Sequence, residues 1–169
     1  NLNPSTQFVI LRDLITVLNR QGIFKLIIFN THGGNNFKQM IRELNILFPN
    51  MFLCQCNSFE ISGIQAFIEL PGGHADEMET SMMLYLAPEL VLPLSEAGPG
   101  KAKAFSIPAL REGWAWAERK WTQVTEDTGI GNPERATKEK GELIFNHAAK
   151  SIASFLLELQ QTSRKDLYK

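Results

Sequence analysis

The chain has 169 residues, 44% of them apolar and 21% charged, and 17 Lys and Arg against 18 Asp and Glu leave a formal charge of −1. These values fit one ordinary globular domain and exclude a disordered, collagenous or disulfide-framework chain. No cluster of Lys and Arg offers phosphate neutralisation, so no nucleic-acid partner is expected, and no apolar run approaches the ~20 residues of a bilayer span.

In chain order, Ser5 has the form of an N-cap, and Phe8, Ile10, Leu11, Leu14, Ile15 and Leu18 recur at helical spacing up to Gly22. That predicts a core-facing helix. Ile23 to Phe29 reads as a strand buried on both faces of a parallel sheet, followed by the polar turn Asn30-Thr31-His32-Gly33-Gly34-Asn35-Asn36. Phe37, Met40, Ile41, Leu44 and Phe48 predict a second helix ended by Pro49, and Met51 to Cys56 a second strand. This is the βαβ rhythm of an open α/β sheet, whose ligands sit outside the carboxyl ends of the strands, where the turn after Phe29 lies.

Residues 58–73, with Gly63, Pro71, Gly72 and Gly73, read as a loop holding one short helix or strand. A helix is predicted over Asp76 to Leu86, closed by Pro88, then an edge strand over Leu90 to Leu94. The mixed segment 98–131 holds Trp114, Trp116 and Trp121, read as core or subunit contacts. Asn132-Pro133 has the form of a cap and first helical residue for a last helix striped by Leu143, Ile144, Ala148, Ile152, Phe155 and Leu159, and 163–169 form a polar tail. One domain is expected over 1–169.

Two clusters are candidates for chemistry. His32 stands at a strand end beside two glycines that allow a tight turn, a position that suits a metal ligand or, equally, a histidine bonded within its own loop. The turn has neither G-x-G-x-x-G nor G-K-[ST], and no serine lies in G-x-S-x-G, so a phosphate loop and a serine hydrolase are both disfavoured. The second cluster is Gly72-Gly73-His74-Ala75-Asp76-Glu77-Met78-Glu79-Thr80-Ser81. Asp76 and Glu77 complement a helix dipole. Glu79 heads the stripe Met82, Met83 and Leu86, and a carboxylate on a buried face needs a partner or a metal, while Glu77 points to the opposite side. His32, Glu79 and His74 are therefore expected around one crevice as two ligands and an acid/base, fewer than the three protein ligands of a hydrolytic metal. His147 reads as a core or interface histidine. Cys54 and Cys56 read as strand residues, too close for a disulfide and without zinc spacing, which suits a reduced cytoplasm.

In these two motifs, and in Gly129-Ile130-Gly131-Asn132-Pro133 with Ala136-Thr137 and Lys140-Gly141, the chain resembles the creatininase (creatinine amidohydrolase-like) family over nearly its whole length. The resemblance implies a three-layer α/β/α sandwich with a mostly parallel sheet, a centre of one or two divalent ions (Zn, Mn or Fe), and a cytoplasmic homo-oligomer, often hexameric. It also implies hydrolysis of an amide C–N bond in a cyclic amide, formamide or related small molecule by metal-activated water. By the same resemblance His32 and Glu79 are metal ligands, His74 and Glu77 catalytic, and Gly33, Gly34 and Asn35 lie at the substrate. The family's Glu-Gln-His-Gly motif, a source of further ligands, is absent, and the chain opens on Asn1, so an N-terminally incomplete domain is expected. Creatinine-hydrolysing members carry an aromatic and an acid where Gly33 and Gly34 stand, so creatinine itself is not the expected substrate. The alternative is a non-catalytic binding or assembly domain with an incomplete metal site; a nucleotide pocket after Phe29 is a third reading.

Overall fold

The computed structural model describes residues 2–168, which form two compact units: one runs up to Ile61 and includes the stretch from Leu156 onward, the other is Ser62–Phe155. In the first unit, helix α1 (Pro4–Arg20) opens at Pro4, with Asn3 as N-cap. Ser5 therefore lies inside the helix, because the fixed φ of proline suits the first helical position. Phe8, Leu11, Ile15 and Leu18 follow the 3, 4, 3 spacing of one face, and the first, second and fourth pack around the fully buried Ile15. Ile10 and Leu14, expected on that stripe, are 44% and 54% exposed because they lie on a neighbouring face.

Strands β1 (Lys25–Asn30) and β2 (Phe52–Asn57) pair in parallel from Lys25↔Phe52 to Asn30↔Asn57, and α2 (Lys38–Leu47) makes the crossover that a parallel pair requires. Burial on both faces fails at Phe29, which is 52% exposed. Met40, Leu44, Met51 and Leu53 complete the core around Ile15. Cys54 and Cys56 are free thiols on β2, and burial, helped by Cys56, pushes the Cys54 thiol up, which keeps it protonated.

The second unit is built on α3 (Glu77–Leu86) and on α6 (Lys138–Gln161), whose turns from Leu156 belong to the first unit; α4 (Pro108–Arg111) and α5 (Trp121–Val124) are single turns. The stretch predicted as a loop with one short element holds two 3₁₀ turns, Ser58–Glu60 and Ile64–Phe67. The edge strand expected over Leu90 to Leu94 does not form: 3₁₀ turns Pro88–Leu90 and Leu94–Glu96 occupy it, and Leu90 and Leu92 are more than 70% exposed. Pro88 and Pro93 bring no N–H to a ladder. Asn132 caps only a 3₁₀ turn (Pro133–Arg135), and the last helix begins later, where the Thr137 hydroxyl accepts from Lys140 N–H. Trp114 and Trp116, expected in a core or interface, are 76% and 82% exposed. Among the described residues no helix is long and apolar enough to cross a membrane.

Gly141 lets α6 approach α3. A Cβ there would lie 1.9 Å from the Ser81 carbonyl oxygen and 2.9 Å from Tyr85 Cβ. Helix propensity alone favours alanine over glycine by about 1 kcal/mol, but this overlap reverses the sign. Gly141→Ala is expected to cost about 1–3 kcal/mol, read as a lower Tm; a raised Tm would show that the helices do not meet here.

Candidate active site

The segment Gly72 to Glu79 is held in place by backbone geometry first. Gly73 and His74 N–H both donate to Ile130 O, and Ile130 N–H returns a bond to His74 O, forming an isolated antiparallel bridge. Gly131, at φ +111°, runs so close to Gly72 that a Cβ on it would lie 2.6 Å from the Gly72 Cα. Only glycine fits both requirements. Ala75 takes φ +50°, an uncommon conformation for a residue with a Cβ, between His74 and the N-cap of α3.

Asp76 is that N-cap. Its Oδ1 accepts from Glu79 N–H at 3.0 Å, and Glu79 Oε2 accepts from Ala75 N–H at 2.7 Å, close to a capping box. The D-x-x-E spacing of Asp76 and Glu79 carried this signal in the sequence. Burial pushes the Asp76 carboxyl up against these backbone bonds, and the neighbouring Glu79 charge adds to the rise.

The two glutamates of α3 exchange the environments predicted for them. Glu79, expected on the buried stripe, has a side chain 45% exposed, while Met83 and Leu86 on that stripe are 39% and 51% exposed. Glu77 is fully buried beside Ser81. Its Oε1 meets Lys140 Nζ at 2.5 Å, and its Oε2 accepts from the N–H groups of Glu69 and Leu70 at 3.1 and 2.7 Å. Lys140 also donates to Glu69 Oε1 at 2.7 Å and Arg135 O at 2.9 Å. Burial pushes the Glu77 carboxyl up, but Lys140 and the two N–H groups outweigh it and hold the group below the ordinary glutamate value. The face was misjudged because Lys140, 63 residues away, supplies the charge that makes burial of Glu77 favourable. A lysine in a helix sequence carries no mark of that partner.

His74 Nδ1 lies 3.7 Å from Glu79 Oε2, and its ring meets Trp121 edge-on at 5.2 Å between centroids. The structure thus brings His74 and Glu79 together, with Glu77 turned away to bind the loop that precedes them. Trp121 was not singled out in the sequence, where nothing sets it apart from the other tryptophans.

In the first unit, His32 is exposed, and its Nδ1 accepts from Gly34 N–H at 3.1 Å. The buried Asn30 side chain accepts from His32 N–H and from Asn35 Nδ2, and donates to Asn57 Oδ1 at 3.0 Å. Asn35 braces this turn, Gly34 N–H is engaged by the imidazole, and a Cβ on Gly33 would have only Phe59 near it, at 4.0 Å. Asn30 was missed as the organiser of the turn, although a polar residue ending an apolar strand is the visible signal. His147 matches its structural reading: Nε2 bonds Ser62 O at 2.7 Å and the ring packs edge-on to Phe67.

As a metal donor set these residues are suitable in kind but few in number. His74 and Glu79 offer an imidazole nitrogen and a carboxylate oxygen closer together than two metal–ligand bonds of roughly 2.1 Å laid end to end, so their spacing suits one ion. Among the described residues no three His, Cys, Asp or Glu side chains gather to hold one. His32 keeps Nε2 clear of its loop, but ligation there moves the ring proton to Nδ1 and releases the Gly34 bond.

The family model for creatininase, creatinine amidohydrolase, matches residues 1–156. A solved structure from Bacteroides fragilis NCTC 9343, assigned as a creatinine amidohydrolase, is 40% identical over 100% of this chain at a TM-score of 0.90. A creatininase variant complexed with creatine (20% identity, 96% of this chain, TM-score 0.76) and a manganese creatininase (21%, 96%, TM-score 0.71) share the fold. The chain spans 66% of the length of the Bacteroides structure and of the manganese form, and 67% of the creatine complex. No curated protein matches it. A match over most of the sequence, with a parallel α/β architecture in common, means that the chain belongs to the creatininase family.

Proposed function

We propose that the protein to which this chain belongs is a metal-dependent hydrolase of an amide C–N bond in a small molecule. The observation that carries the reading is the His74–Glu79 pair, an imidazole and a carboxylate 3.7 Å apart at the N-terminus of α3, in a chain of this family. By the family resemblance Glu79 and His32 are each proposed as a metal ligand, and the further donors that a hydrolytic centre needs are sought in the length of the relatives that this chain does not span. A bound divalent ion supplies Lewis acidity toward the amide oxygen and lowers the pKa of water.

The chain's own residues then have separate tasks. His74, fixed by the Ile130 bridge and the edge of Trp121, holds or delivers a proton at its ring nitrogens for the leaving amine. Glu79 Oε2 orients that ring at Nδ1 while capping the turn at Ala75 N–H. Glu77 acts through the loop, because its bonds to Glu69 and Leu70 N–H set where Gly72 to His74 emerge. Gly33, Gly34 and Asn35 are assigned to the substrate side of the His32 turn, with Gly33 leaving room for an approach. A cytoplasmic homo-oligomer, as in the family resemblance, completes the proposal.

Metal analysis and turnover test it. The full-length protein is expected to carry Zn, Mn or Fe, to hydrolyse members of a panel of cyclic amides and formamides, and to lose that activity on chelation and regain it on adding the ion. Neither bound metal nor turnover would leave a non-catalytic binding or assembly domain of the same fold.

A further inference from the structure

Two unlike cavities adjoin the His74 segment, one lined by Ala75 and Glu79 and the other by Ile130. The one on the α3 side, about 440 Å3, is lined by Glu79 and Glu96 among apolar residues and has no cationic residue in its wall. The other, about 720 Å3, is an open cavity lined by residues of the segment 102–124 and by Ile130, the residue whose backbone pairs with His74. Lys103, Arg111, Arg119 and Lys120 line it, against the single carboxylate of Glu118. No ion pair engages any of these four cations among the described residues. Arg111 is tied to the carbonyls of Phe105 and Ser106, which shapes the wall. Arg119 carries its guanidinium carbon 5.2 Å from the centroid of the Trp121 ring, and Trp121 also meets the His74 ring at 5.2 Å between centroids.

A concave site with several cations outside any ion pair selects anions, and a guanidinium already held against an aromatic ring loses less freedom when it takes a carboxylate or phosphate in its planar fork. One cation-to-ring contact and one ring-to-ring contact link that fork to His74, a reach of several bonds in a small molecule. We propose that the amide substrate carries an anionic group, a carboxylate or a phosphate, remote from its scissile C–N bond, and that Arg119 with Lys103 binds this group in the cation-lined cavity. The placement of the scissile bond at His74 rests on the function proposed above; the anion site does not.

The test has a binding arm and a turnover arm, both on the full-length protein. Trp114→Phe and Trp116→Phe leave Trp121 as the sole tryptophan of this chain's three, and its fluorescence is titrated with inorganic phosphate and, separately, with succinate, with sodium chloride as the ionic-strength control. A saturable response to either anion, weakened about tenfold in Arg119→Gln and largely restored in Arg119→Lys, is expected, and which anion binds tighter names the group. In turnover, KM for a carboxylate-bearing amide is expected to rise about tenfold in Arg119→Gln with kcat held, while the methyl ester of the same amide is unmoved. Lys103→Gln, on a side chain with no ion partner among the described residues, gives the same pattern should Arg119→Gln fail to fold. A response no different from chloride, or equal changes for ester and acid, overturns the proposal. Saturable, Arg119-dependent binding without hydrolysis of any amide keeps the anion site and removes the hydrolase reading; hydrolysis indifferent to the anion does the reverse.

Discussion

Replacing His74 by alanine is expected to lower kcat of the full-length protein by about 10²- to 10⁴-fold, the range in which a positioned acid or base acts, with KM changed less than threefold. The reason is the ring's isolation from the scaffold. Its backbone is fixed by the Ile130 bridge whatever the side chain, and the side chain is 36% exposed, with Glu79 and the edge of Trp121 as its neighbours. Loss of the imidazole therefore removes proton transfer without unfolding the loop, and the thermal melt of His74→Ala is expected within a few degrees of wild type. A variant within threefold of wild-type kcat would remove His74 from the chemistry and, with it, the reading of the α3 N-terminus as an active site. Rate and melt together separate a chemical from a structural role.

Glu77→Ala is expected to behave in the opposite way, as a stability mutant. The carboxylate is fully buried and is the shared acceptor of an ammonium and two backbone N–H groups. Its removal orphans the Glu69 and Leu70 N–H groups and leaves Lys140 with only Glu69 and the Arg135 carbonyl, and breaking such a buried pair costs about 3–5 kcal/mol. The Lys140 side chain keeps 21% of its surface in water, which places the loss near about 3 kcal/mol, a fall in Tm of roughly 10 °C for a chain of this size. Glu77→Leu combined with Lys140→Met is expected to recover only part of it, because the Glu69 and Leu70 N–H groups stay unpaired in both. Full recovery would show that the ion pair, and not the loop, is what Glu77 holds.

The same group fixes an acid limb of stability. Its folded-state pKa lies below the ordinary 4.5, so its contribution is complete above that value and is lost as pH falls through the lowered one. Lys140 is held above its ordinary 10.5 by its bonds to Glu69 and Glu77, so its share is complete below that value and is lost only as pH rises beyond it. Asp76, raised by burial, opposes the Glu77 limb, so the measurement is the difference in stability between wild type and Glu77→Gln, which is expected to shrink on acidification below pH 4.5.

Legibility from sequence followed the range of the forces involved. Period and punctuation are local, and they located α1, β1, α2, β2 and α3 to within about two residues and the His32 turn between β1 and α2. They failed where a proline replaced the ladder donor, at Leu90 to Leu94, and where a cap served a 3₁₀ turn, at Asn132. They also failed at Ile10 and Leu14, since a wide apolar stripe does not say which part of it meets a core.

What the sequence determined by itself was the order of elements as far as α3, the family and the two histidine-bearing motifs, because these rest on neighbours along the chain. The tertiary structure alone decided which glutamate of α3 is buried and which faces His74. That choice is set by Lys140 and by the glycine-permitted contact of α6 with α3, and a charge becomes favourable inside a protein only when its partner arrives from elsewhere in the chain.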